Sequence, residues 1–196
     1  FSLCLIVGRS VFAGDRTISV YVALADNEHQ GIVPVPKAIG NGDDPGNNLY
    51  WGTADGLKGW FDRSRIWQFV GQTNSTEQEI LCIRTYRHAS TNAVLTAKAY
   101  RGAAIKQCIQ DFEAAVRAGS YDLVVYIGHN GLMDFDLSAL TAPAGKTNRT
   151  DCIALCCKSE KYFKDRLLSA GGRPILLTTQ FMYPGAFILH AVADAQ

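Results

Sequence analysis

Two short runs constrain this chain more than any other feature. Residues 122–127 (DLVVYI) and 152–156 (CIALC) are apolar almost throughout, and polar turn residues bound each. Runs of this length read as strands buried on both faces. A sheet can bury both faces of a strand only when helices cover it on both sides, the habit of parallel α/β folds.

The rest of the chain supplies the partners. Residues 17–25 (TISVYVALA), 79–88 (EILCIRTYRH), 93–100 (AVLTAKAY) and 174–178 (PILLT) are rich in β-branched, aromatic or other apolar residues and read as further strands, with the start of the next helix as the alternative for 93–100. Between 101 and 118, Ile105, Cys108, Ile109, Phe112 and Val116 recur at helical spacing, and Gly119 is placed to cap that helix. Helices are also expected over 160–170, ending in Gly171-Gly172, and over 184–195, with Pro184 in the first turn. Asn48 is placed to cap one more, running to about Phe61. Alternation of this kind predicts an α/β three-layer sandwich with a mostly parallel sheet and right-handed crossovers. At 196 residues it is expected to be a single domain.

Composition narrows the functional classes. A net charge of +1 with no basic cluster gives no reason to expect nucleic acid. No apolar run is long enough for a membrane span. No GxGxxG and no P-loop sequence follows a strand, which argues against a flavodoxin-like or other nucleotide-binding domain. Residues 1–13 are apolar and end in Val11-Phe12-Ala13 before Gly14-Asp15, which resembles the end of a secretory signal. The expectation is an exported protein, periplasmic or extracellular, whose mature domain spans 14–196. Six cysteines are present, and loss of Cys4 with the leader leaves five, an odd number. No CxxC pair or Cys/His zinc spacing occurs, so no metal is expected.

Chemistry concentrates where the two buried runs end. The first closes on Gly128-His129-Asn130-Gly131, the second on Cys156-Cys157-Lys158-Ser159. Loops after the C-termini of parallel strands share one sheet edge, where ligands bind. If the strands are neighbours, an imidazole and a thiol project from the same edge. A thiol needs a base to become a nucleophile at neutral pH, and histidine is the usual one. Strand alternation turns Cys156 toward Cys152 and Ala154, which leaves Cys157, past the strand end, freer to face the edge. Cys156 nevertheless stays open as the nucleophile.

The loop 26–48 follows the first strand to the same edge and is long enough to be an ordered lid. Its Asp26, Asn27 and Gln30 are candidates for holding substrate polar groups, and His29 is a second candidate base. Tyr50-Trp51 is expected to pack the lid. Asp134 and Asp136 read most simply as a solvated loop, though either can orient His129 or bind a cation. His88 and His190 carry no assigned role.

These motifs resemble the caspase-like fold of cysteine peptidases, the group of caspases, legumains, gingipains and clostripain. In that group an apolar strand ends in a His-Gly turn and the next ends in Ala-Cys. Residues 124–131 resemble the first motif. Residues 154–159 resemble the second, with Cys156 in the Ala place and Cys157 in the nucleophile place. The blocks DNEHQGIVPVP and NLYWG are similar to a bacterial branch of this fold. The resemblance implies a peptide or protein substrate, Cys157 as nucleophile and His129 as general base and acid. It further implies an oxyanion hole from the amides of Asn130, Gly131 and Cys157, Thr179 beside the cleft, and no cofactor. Two alternatives stay open: a non-catalytic binding domain that uses the 26–48 loop, and a cysteine-dependent amidase or acyl transferase for small molecules.

Overall fold

A computed structural model describes residues 16–141 and 149–194. The apolar stretch 1–13 therefore lies outside the described residues. The described chain forms a seven-stranded sheet in the order β2-β3-β4-β1-β5-β6-β7. The strands are β1 (Thr17–Ala23), β2 (Trp67–Thr73), β3 (Ile80–His88), β4 (Val94–Tyr100), β5 (Leu123–Ile127), β6 (Thr150–Leu155) and β7 (Gly172–Leu177). The β4-β1-β5-β6-β7 block is parallel throughout, while β2 and β3 join it as an antiparallel hairpin pair.

Helices α2 (Ile105–Ala118) and α3 (Ser159–Ser169) cover one face, and α1 (Leu57–Phe61) and α4 (Ala186–Asp194) cover the other. This is the expected α/β three-layer sandwich. Side-chain alternation divides β1 between the two layers. Ile18, Val20 and Val22 pack toward α1 and α4, while Tyr21 and Ala23 pack toward α2 and α3. Every residue of β5 is buried. Burial of each large side chain there contributes about 1.5–3 kcal/mol. Helix α2 buries the residues its periodicity names and ends at Gly119, whose left-handed φ of 70° lets its N–H reach the Ala115 carbonyl.

Two local expectations change. The helix expected from Asn48 reduces to turns followed by the five-residue α1. Asn48 is fully buried and spends its side chain on tying down the end of β1. Its Oδ1 accepts the Ala25 N–H at 2.9 Å, and its Nδ2 donates to the Ala25 carbonyl at 2.8 Å. Strand β2 is the second change, since no strand was expected there. It lies at the sheet edge with one buried residue, Trp67, and a bulge between Phe69 and Gly71.

His190 of α4 gives the fold a pH dependence. Ser64 Oγ accepts the N–H groups of Ile66 and Trp67, so its own proton points to His190 Nε2, 2.8 Å away. Burial pushes the His190 imidazole below its ordinary 6.5, against a smaller upward pull from Asp194. The unfolded chain therefore takes up a proton first as pH falls below 6.5, and stability drops with it. His29 is exposed and raised by Asp26, so it acts in the opposite sense. Melting temperature is expected to fall more steeply between pH 7.5 and 5.5 in the wild type than in His190→Phe, which keeps His29. Equal slopes in the two proteins would refute this.

Candidate active site

The registration of β5 on β6 positions the candidate pair. Ile127 lies opposite Leu155, so His129 and Cys157 each stand two residues beyond the last paired position of adjacent parallel strands. Such strands run about 4.8 Å apart. The adjacency on which the pairing of imidazole and thiol depended, and which the sequence left as a condition, is therefore present. Gly128 makes the turn possible. Its φ is 154°, and a Cβ there would lie 2.9 Å from the Ala23 carbonyl oxygen of β1. Gly128→Ala is expected to cost about 1–3 kcal/mol in urea unfolding, because it combines a strained φ with a backbone collision. A cost below a few tenths would show that the turn adapts freely.

His129 is 7% exposed. Tyr126 donates its hydroxyl to the His129 carbonyl at 2.6 Å, which anchors the backbone. The ring Nε2 lies 2.7 Å from Asp134 Oδ2. A carboxylate only accepts, so Nε2 carries a proton, and in the singly protonated ring the lone pair falls on Nδ1. Asp134 is thus drawn to the histidine and does not stand free in a solvated loop. Asp136 is exposed.

Cys157 is half-buried, whereas Cys82, Cys108, Cys152 and Cys156 are buried, and no disulfide joins the five described cysteines. Its Sγ sits against the Met182 backbone, receiving that N–H at 3.5 Å and lying 3.8 Å from that carbonyl. Cys156 packs with Cys152 and Ala154 in the α2–α3 layer, as alternation requires. Burial drives its thiol well above the ordinary range. Lys158 adopts a left-handed conformation with φ 51° before α3. Its ammonium lies 4.4 Å from the centre of the Phe181 ring.

Asn130 ties the turn that carries His129 to the strand end that carries Cys157. This fully buried residue donates its Nδ2 to the Cys157 carbonyl at 2.7 Å and accepts the Leu132 N–H on its Oδ1. Among the described residues no hydrogen bond joins the His129 ring to Sγ itself. Catalytic hydrogen bonds are often long before substrate binds, so this geometry is compatible with a base and nucleophile that meet only across a substrate. Gly131 donates its N–H to the His129 carbonyl at 3.0 Å, so that amide is spent within the turn. The amides of Asn130 and Cys157 make no hydrogen bond among the described residues and remain the candidate oxyanion donors.

The lid residues are used differently from one another. Asp26 Oδ1 accepts the N–H groups of Glu28 and His29, and its Oδ2 meets His29 Nδ1 at 2.9 Å. That contact favours the charged ring of His29. Asn27 clips Val35 through both its N–H and its carbonyl. Gln30 donates to the carbonyls of Leu24 and Gly102. All three side chains thus hold the loop's own shape. Thr179 is exposed just past β7. Trp51 is buried in the core beneath α1. Tyr50 has the two cysteines as neighbours, and burial first, then Cys157 and Cys156, pushes its hydroxyl up. Sequence reasoning left Tyr50 in the lid and placed Met182 only within the 177–182 segment that the resemblance sets beside the cleft, with no contact to Cys157. Neither residue carries a local motif.

Among the described residues, no group of three or more His, Cys, Asp or Glu side chains is arranged to hold a metal ion. No helix among them is long and apolar enough to cross a membrane. No protein family, no curated protein and no solved structure matches the chain.

Proposed function

We propose that this protein is a caspase-like cysteine hydrolase acting on peptide bonds. The observation that supports the reading is the matched position of His129 and Cys157 at the ends of two paired parallel strands. In this reading His129 Nδ1 takes the thiol proton and Cys157 Sγ attacks the carbonyl carbon. The amides of Asn130 and Cys157 receive the oxyanion. The imidazolium then protonates the leaving amine, and water, activated by the same ring, hydrolyses the thioester. Every proton moves through His129, so the chemistry calls for no cofactor.

Anchoring of Sγ on the Met182 backbone favours a second reading, a non-catalytic binding domain on the same frame. Fluorescein-labelled casein separates the two. The hydrolase reading expects cleavage that iodoacetamide stops and EDTA leaves unchanged. Release of fluorescence no greater than that of Cys157→Ala would overturn it.

A further inference from the structure

We propose that Asp134 is a positioning residue that latches the loop after β1 to the His129 ring, so that the base is set only while the loop is docked. The inference rests on the hydrolase reading for its effect on activity, but not for its geometry. One carboxylate oxygen, Oδ2, serves two elements. It lies 2.7 Å from His129 Nε2 and accepts the Gly31 N–H at 2.9 Å. His129 belongs to the turn after β5, and Gly31 belongs to the loop after β1, which neighbours β5 in the sheet.

Gly31 is shaped for this contact. A Cβ there would lie 2.9 Å from Asp134 Cγ and nearer still to Oδ1, so the carboxylate occupies the space a side chain would fill. The loop is braced as a unit by the Asp26 turn, the Asn27–Val35 clip and the Gln30 bonds to Leu24 and Gly102. Movement of this braced loop therefore carries the Gly31 amide with it. Without that amide, Asp134 loses one of the two groups that fix its rotamer. The ring then loses the acceptor that keeps the proton on Nε2 and leaves Nδ1 as the base.

The experiment follows the ring directly. Two-bond 15N–1H spectra of the His129 imidazole are recorded in the wild type, Asp134→Asn and Gly31→Ala, together with amide exchange at residue 31. Near-UV circular dichroism checks that each variant is folded. The wild type is expected to show the neutral ring protonated on Nε2. Both variants should shift toward the other tautomer, and exchange at residue 31 should rise at least ~10-fold in Asp134→Asn. Gly31→Ala leaves the Asp134 carboxylate chemically intact and moves it only by crowding from the new Cβ, which guards against Asp134→Asn failing for an unrelated reason. If the wild type cleaves casein, Asp134→Asn should lose about 100-fold or more in kcat with KM little changed, the mark of a misdirected base. An unchanged tautomer in both folded variants overturns the latch, whether or not casein is cleaved. A changed tautomer with no cleavage in the wild type supports the latch and counts against the hydrolase reading alone.

Discussion

Cys157→Ala is expected to lower casein cleavage by at least ~1,000-fold, and His129→Ala by a similar factor. The variant lacking both should lose no more than either alone. Nucleophile and base act as one unit, so removing either abolishes the covalent step and the second removal has nothing left to take away. The structure makes this a clean pair of substitutions. Cys157 is half-buried, and its sulfur's hydrogen-bond contacts among the described residues are to the backbone of Met182, itself half-buried, so truncation to Ala strands no fully buried group. Cys156→Ala is the matched control. Its thiol is buried in the opposite layer and held protonated by burial, so that variant should retain cleavage. Multiplying losses in the double variant would mean that the two residues act independently. Loss of cleavage in folded Cys156→Ala would mean that the wrong cysteine has been assigned.

The largest effect on stability is expected at Arg166. This residue of α3 grips Glu113 of α2 with a two-point fork, Nε to Oε1 at 2.6 Å and Nη2 to Oε2 at 2.8 Å. Glu113 is 2% exposed, so the carboxylate has no solvent to fall back on. Arg166 also donates to the carbonyls of Leu137 and Ser138, each at 3.1 Å, which pins the segment leading away from Asp134. Arg166→Met strands a buried carboxylate, and such losses cost about 3–5 kcal/mol. The Arg166 side chain is 19% exposed, so some water reaches the pair and the lower end applies. The Glu113→Leu, Arg166→Met double variant removes both charges and should recover most of the loss. Urea unfolding measures all of this. A cost below about 1 kcal/mol for Arg166→Met would show that Glu113 is not held by the fork.

The parallel core was readable because its strands have no alternative use. Residues such as 123–127 are apolar at every position, and only a sheet covered on both faces accepts them. Helix α2 was readable for the matching reason, an unbroken apolar stripe. Strand β2 was not, because an edge strand with one buried residue and a bulge leaves almost no periodic signal. The Asn48 reading went astray because a buried Asn can satisfy backbone groups far along the chain as readily as those of the next helix.

The candidate pair was legible as two strand ends, but their adjacency was not, since sequence spacing does not fix strand order. The contact of Asp134 with His129 was one option beside Asp136 and a solvated loop, and choosing it depends on a turn that doubles back, which no local pattern signals. Asp26, Asn27 and Gln30 show the same ambiguity in reverse. Polar residues in a long loop look alike whether they await a substrate or build the loop, and here their polar atoms build it.

The most direct measurement is the rate at which iodoacetamide labels each cysteine at neutral pH, read by mass spectrometry in the wild type and in His129→Ala. Cys157 is expected to react first, ahead of the buried Cys82, Cys108, Cys152 and Cys156. Exposure alone could give that order, so dependence on the histidine decides the matter. Loss of His129 should slow Cys157 at least ~10-fold while the other cysteines keep their rates. If Cys157 reacts equally fast in both proteins, His129 is not its base and the hydrolase account is contradicted.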